Sequence, residues 1–495
     1  MLSQLAAGSA AVVWLATSMP AQTIPRTWDE TALATMQLKQ PLASAVVKEV
    51  PVSYYYMMAE RVIYRRYPVY SSKTEPPGYL AKLAQAEPEI VFDVSRLKTE
   101  RDWVAAGAEV FRYPISAAPA EQALAYFRGI LEQAHVPVAR DGTYPQLALV
   151  VPKKGVVLVG FLSCATCHTR VQPDGSVIEG AQGALPDALL GFPPQVQAAR
   201  AFQRALYRVP WLDKDPIDRV ETMSVDEISA LKAAMPLGVV ARHGSSLFAP
   251  TQIPDLIGIA ERKYLDHTGL IRHRDIGDLM RYAALNNGTA PAGLDMLADY
   301  SGFVPIENLG SKSDDKLPPP ETMERYSDPQ LFALAKFLYS LKPPPNPNVP
   351  SAITRQGRKI FAREGCPSCH TPPLYTSNKL TIATGFKPKA EDLTKYDVLP
   401  ISVQTDPDLT MKTRRGTGYY KVPSLKGVWY RRMFGHSGWC ATLEDWFDPR
   451  RTNEDYVPTG FKPYGAPTYA VKGHPFGLNL SEVDRARLIA FLKTL

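Results

Sequence analysis

Two five-residue stretches hold most of the side chains able to do redox chemistry. Cys164-Ala165-Thr166-Cys167-His168 and Cys366-Pro367-Ser368-Cys369-His370 share the pattern CxxCH, and the second begins 202 positions after the first. CxxCH is the attachment signature of c-type haem. Two thiols three positions apart add across the vinyl groups of a porphyrin. The adjacent histidine is thereby held beneath the ring, where its imidazole can bind iron. A redox CxxC wants a thioredoxin-like βαβ setting, and a zinc site wants a second ligand pair. Neither is seen, and both motifs carry the histidine. With five Cys and eight His in 495 residues, two such motifs are not a product of composition. The sequence therefore predicts two covalent haems, bonded through Cys164, Cys167, Cys366 and Cys369, with His168 and His370 as iron ligands. Cys440, beside Trp439, is left over and reads as a buried thiol, so no internal disulfide is expected.

The chain is long enough for two or three domains. Its 45 Pro and 32 Gly indicate long ordered loops between short helices. The net charge is +7, but Lys and Arg are interspersed with acids and form no basic block, so a nucleic-acid partner has little support. Haem propionates would offset part of that excess. Covalent haem attachment normally takes place outside the cytoplasm, which calls for an export signal. Residues 5–17 are apolar and Ser18-Met19-Pro20-Ala21 offers a small-residue exit, although the first basic side chain is Arg26. Residues 1–22 are read as a signal peptide, with a short anchor or a misplaced start codon as the alternatives. No later stretch reaches the roughly 18 apolar residues that span a bilayer. The expectation is a periplasmic protein with no stable membrane insertion once the signal is removed.

The elements that must position the two motifs come from a repeat. Residues 23–100, rich in Tyr and Pro, lack helical periodicity and read as an extension wrapped over the haem domains. From about 101 the chain repeats itself. Gly107-Ala108-Glu109-Val110-Phe111 recurs as Gly357-Arg358-Lys359-Ile360-Phe361, each a helix leading toward a CxxCH. Pro254, Leu256, Gly258, Arg262, His267 and Gly269 recur 169 positions later, without a gap, as Pro423, Leu425, Gly427, Arg431, His436 and Gly438. Each unit ends on a helix with a similar tail, at Phe337-Leu338 and Phe491-Leu492. Pro343-Pro344-Pro345-Asn346-Pro347 links the units. The organisation expected is mainly α: two cytochrome c-like haem domains related by duplication, 101–345 and 346–495. The first carries an insertion in which Leu147–Val151 and Val156–Phe161 form a β-hairpin delivering the chain to Cys164.

This arrangement resembles the dihaem cytochrome c peroxidase superfamily, over about 105–495. That superfamily includes bacterial dihaem peroxidases, the enzyme that matures methylamine dehydrogenase, and haem-dependent rubber oxygenases. The resemblance implies two helical haem domains packed across a pseudo-twofold interface, with a catalytic N-terminal haem and an electron-transferring C-terminal one. It also admits calcium between the domains. For the sixth ligand of the second haem it points to His474, in Gly473-His474-Pro475-Phe476-Gly477, a segment like the one supplying a distal histidine in the rubber-oxygenase branch. The flanking glycines suit a loop brought close to a macrocycle. Arg450, which cannot ligate, occupies the position where peroxidases place a methionine ligand, and Met433 is the runner-up to His474. For the first haem the candidate is His243, near where peroxidases place a departing distal histidine. It either ligates iron or is a solvated loop residue.

The peroxidase branch also uses a Gln and a Glu for proton transfer. Here Leu279 stands at the Gln position, no Glu appears until Glu307, and Leu265 replaces the bridging aromatic, beside Tyr264. Tyr264, Asp266, His267 and His273 remain as candidates for polar work at the first haem. His267 and His436, being duplicated, also read as propionate or interface hydrogen-bonding residues. The functions implied are peroxide reduction fed by a small redox donor (a cytochrome or cupredoxin), dioxygen activation on an organic substrate, or electron carriage alone.

Overall fold

The computed structural model describes residues 23–29, 52–190, 214–241, 245–286, 319–322, 324–413 and 416–495, with positions 200, 207, 209 and 212. Two crossed helix pairs frame the motifs. Helix α1 (Glu100–Arg112) begins at a capping box, in which the Thr99 hydroxyl accepts from the Asp102 amide at 3.2 Å and the Asp102 carboxylate accepts from the Thr99 amide at 2.8 Å. Helix α3 (Asp328–Ser340) packs against it and against α2 (Ile276–Asn286), around a core that includes Phe111, Leu279, Leu334 and Phe337. In the second half, α4 (Ala352–Arg363) is capped by Ser351 and crosses α5 (Glu482–Leu492), which is capped by Ser481.

The two crossings are built alike. A Cβ on Gly107 would sit 1.9 Å from the Ala333 carbonyl oxygen, and one on Gly357 would sit 2.0 Å from that of Arg487. Each glycine therefore lets a helix backbone touch its partner. An aromatic pair locks each contact, Phe111 on Phe337 at 5.1 Å and Phe361 on Phe491 at 5.4 Å.

The fold is not plainly mainly α, because small sheets accompany the helices. Residues 143–162 are rich in β-branched and alternating apolar side chains, which favour pleated strands over helix. The hairpin expected there is longer than its apolar core suggests. It is joined by two more strands in the order β1 (Arg66–Tyr70), β3 (Thr143–Lys153), β4 (Val156–Leu162), β2 (Ser116–Pro119), all antiparallel. Strand β1 comes from the 23–100 extension, which thus supplies part of a sheet besides wrapping. The wrap is visible at Thr27, whose hydroxyl donates to Asp328 at the start of α3 at 2.5 Å. No helix among the described residues is long and apolar enough to cross a membrane.

The segments that share the 169 offset face each other reciprocally. The Gln252 amide donates to the His436 carbonyl at 2.9 Å, and the Lys421 amide donates to the His267 carbonyl at 2.9 Å. Residues 252 and 421 are one repeat apart, as are 267 and 436. A contact made once in each direction is the signature of a two-fold relation.

The helix crossings predict opposite outcomes for two kinds of glycine. Gly107→Ala or Gly357→Ala must push the helices apart and should cost about 3 kcal/mol in denaturant unfolding. Gly129→Ala, in a helix with open space around it, should stabilise by about 0.5 to 1 kcal/mol.

Candidate functional sites

Strand β4 delivers the chain to Ser163, which caps the short helix Cys164–Cys167. Ser163 and Thr166 exchange bonds at 2.9 and 3.0 Å, and the Thr166 hydroxyl donates to the Gln146 carbonyl on β3 at 2.8 Å. The motif is thereby anchored to the sheet. The His168 amide donates back to the Cys164 carbonyl at 2.8 Å, and the His370 amide to the Cys366 carbonyl at 2.8 Å. Both motifs thus close one turn that presents two thiols and an imidazole to one cavity.

The imidazoles are oriented alike. His168 Nδ1 lies 2.9 Å from the Pro254 carbonyl, so it carries the proton and leaves the Nε2 lone pair free. His370 Nδ1 donates to the Tyr375 carbonyl at 3.2 Å and also feels the Pro423 carbonyl, the repeat partner of Pro254. Burial lowers the pKa of both rings, that of His168 to about 4, so both stay neutral. Two arginines hold these prolines in place. Arg262 donates to the carbonyls of Asp255 and Ile257, and Arg431 to those of Ser424 and Lys426. The acceptors are again one repeat apart. Both arginines stand at matched repeat positions, but their clamp exists only in the folded turn.

A cavity of about 290 Å³ is lined by Cys366, Cys369, His370, Met433, Trp446 and His474. The His370 and His474 ring centres are 6.3 Å apart. Two imidazoles on opposite sides of one metal, each bonded at about 2 Å, have centres roughly 6 Å apart. The His474 Nδ1 is buried with no hydrogen-bond partner, and burial holds its pKa down to about 3. Gly473 is needed for a different close approach from the one expected. A Cβ there would meet the Gln404–Thr405 backbone at 2.4 Å, so the glycine fits protein against protein. Met433 lines the same cavity, whereas Arg450 points to solvent and pairs with Asp448 at 2.7 Å.

A second cavity, of about 130 Å³, is lined by Cys164, Cys167, His168, Asp266, Leu279 and Tyr282. Leu265, Leu334 and Leu338 add to a largely apolar wall. Asp266 is buried and accepts from the Leu270 amide at 2.8 Å. His243 and Glu307 lie outside the described residues. Pro254 and His267 line both cavities.

Two of the polar candidates are placed away from this second cavity. Tyr264 lines the larger cavity instead, its hydroxyl donates to the Tyr396 carbonyl, and burial pushes its pKa up to about 12. His273 bridges the Arg262 carbonyl at 2.7 Å and the Tyr339 hydroxyl at 2.6 Å, bracing the arginine clamp and lining neither cavity. His267 Nε2 donates to the Gln252 carbonyl at 3.0 Å, and His436 stacks on Tyr420 with ring centres 4.3 Å apart. Cys440 is a buried thiol, with its pKa pushed up to about 12. Tyr282, Ser245 and Asn286 also line the second cavity and carry no sequence signal.

The electrostatics favour an anionic occupant of the larger cavity. Among its described lining residues Asp255 is the one carboxylate, against Arg262, Lys421, Arg431 and Arg432. Asp255 is itself engaged, by Arg431 at 2.9 Å and the Tyr430 hydroxyl at 2.7 Å. Burial and the neighbouring arginines lower Lys421 to about 7 and Arg262 to about 10. The residues therefore fit a haem: paired thiols, oriented imidazoles, a facing histidine and cations for propionates. No group of three or more His, Cys, Asp or Glu side chains among the described residues could hold a separate metal ion.

No family model matches the sequence, and no curated protein does. Hydrazine synthase from Kuenenia stuttgartiensis, in a structure pressurised with xenon, is similar over 62% of this chain and 88% of its own, at 13% identity and a TM-score of 0.26. A MauG-like protein associated with microbial copper homeostasis is similar over 62% of this chain and 89% of its own, at 15% identity and a TM-score of 0.29.

The buried histidines predict a pH dependence. His267 and His436 both have pKa values lowered to about 3 from 6.5, mainly by burial. The unfolded chain takes up their protons first on acidification, so stability is full above about pH 6.5 and falls between there and about pH 3. His436→Gln should flatten the stability–pH curve in that window, by at most about 1.4 kcal/mol per pH unit. An identical slope in both proteins would contradict neutral burial.

Proposed function

We propose that this chain is an exported dihaem c-type oxidoreductase with two haem domains, 101–345 and 346–495. One haem is held by Cys164, Cys167 and His168, the other by Cys366, Cys369, His370 and His474. The observation that carries the reading is the duplicated histidine setting, an Nδ1–H committed to a backbone carbonyl beside a CxxCH turn, in each half. Bound haem supplies one-electron chemistry at iron, directed to oxygen species wherever a coordination position is open.

The chain's own residues divide the labour. His370 and His474 close the second site from both sides, which suits storing and passing electrons. With haem bound, the His370 and His474 site would take electrons from a small donor, a cytochrome or cupredoxin, and the His168 site would hand them on. His267 and Pro254, shared by both cavity walls, keep that distance short. Around His168, leucines exclude water, and the buried Asp266 carboxylate can hold and return a proton. Peroxide is the simplest substrate. The apolar wall, with Leu279 where peroxidases use Gln, favours a second reading in which dioxygen oxidises an organic substrate without an external donor.

A denatured-pigment assay should return two haems per chain, and one or none would end the proposal. Low-temperature electron paramagnetic resonance should show one low-spin haem that His474→Ala converts to high-spin. Steady-state turnover of peroxide with a reduced small cytochrome separates the two enzymatic readings. Asp266→Asn should lower that turnover by about 100-fold while leaving both haem spectra intact. Full activity in this variant would remove Asp266 from proton transfer.

A further inference from the structure

Arg451 is fully buried, yet among the described residues no carboxylate is paired with it. Its guanidinium is spent on backbone carbonyls. Nε donates to Trp446 at 2.7 Å, Nη1 donates to Val471, and Nη2 donates to Gly473 at 2.9 Å and to His474 at 3.0 Å. The guanidinium carbon also lies 4.6 Å from the centre of the Trp446 ring, which itself sits 5.5 Å from the His474 ring. The Val471 amide returns a bond to the Arg451 carbonyl at 2.7 Å.

These bonds converge on one strained residue. His474 has φ +45°, a left-handed backbone uncommon for a residue with a side chain, and Gly473 before it has φ +85°. On its other flank the His474 amide donates to the Val403 carbonyl at 2.7 Å. A buried charge without a counter-ion is costly, so its retention calls for a role that a neutral residue would not fill. Only a planar fork of several donors can reach Trp446 on one side and the 471–474 segment on the other; a lysine ammonium has one nitrogen.

We propose that Arg451 is the positioning residue for His474, fixing the 471–474 backbone so that the His474 ring faces His370. This rests on the reading that His474 is the second ligand of the C-terminal haem. Arg451 touches neither iron nor substrate; it acts through the histidine it holds, in the manner of partners that orient metal ligands from behind.

The test uses the dihaem holoprotein and three variants, Arg451→Met, Arg451→Lys and His474→Ala, followed by electron paramagnetic resonance and optical spectra. In Arg451→Met most of the second haem's low-spin signal should be lost to a high-spin one. The first haem's signal should be unchanged, and free imidazole should restore the low-spin form, as it should in His474→Ala. Arg451→Lys should show a partial loss. A wild-type low-spin spectrum in either Arg451 variant overturns the proposal, as does loss of both haem signals together, which would mean a general structural role. If His474→Ala itself keeps the wild-type spectrum, the ligand assignment fails instead.

Discussion

A single hydrogen bond, repeated, organises this molecule. In each half the Nδ1–H of a CxxCH histidine is committed to a backbone carbonyl, which leaves Nε2 as the lone pair that faces the cavity. In the first half that carbonyl is Pro254, on the turn that Arg262 clamps and that His273 braces in turn, whereas in the second it is Tyr375, beside the turn that Arg431 clamps. The turn needs a backing, which the crossed helices supply. Each layer answers an orientation problem set by the layer inside it. A ligand that rotates freely loses binding free energy to entropy, and a ligand held from behind does not.

The two sites share this frame and differ in their walls. The second is faced by His474 and Trp446 and bordered by cations. The first is smaller and lined largely by leucines, with the Asp266 carboxyl group buried in its wall. One wall is thus rich in cations and the other largely apolar, so the same frame presents two different surroundings to its two histidines.

Much of this was legible in the chain. The CxxCH motifs are local, and their spacing alone implies the turn that the structure displays. The gap-free repeat from Pro254 to Gly269 marked both proline turns and both arginines. Other features depend on residues far apart in sequence and left no periodic trace. Strand β1 joins its sheet from within a segment that reads as irregular, since five residues alternate too briefly to stand out. Gly473 was recognised as a close-approach glycine, but what approaches it is the 404–405 backbone, brought there by folding. Tyr264 reads as a polar group available for chemistry, whereas its hydroxyl is spent on Tyr396. Arg451 sits in an Arg-Arg pair whose first member is solvated, and nothing local distinguishes the second.

The reciprocal contact between residues 252–267 and 421–436 has a consequence for how the two halves have diverged. The offset between matched positions is 250 at Gly107 and Gly357, 202 at the CxxCH motifs, 169 throughout the facing segments and 154 at Phe337 and Phe491. Length differs between these matched blocks, and the longest block without a difference is the stretch that touches its own counterpart. An inserted residue there would have to be matched on the opposite side to keep both bonds, so two simultaneous events would be needed where one suffices elsewhere. The interface thus acts as a ruler, and chain growth is exported to the loops and the sheet around it.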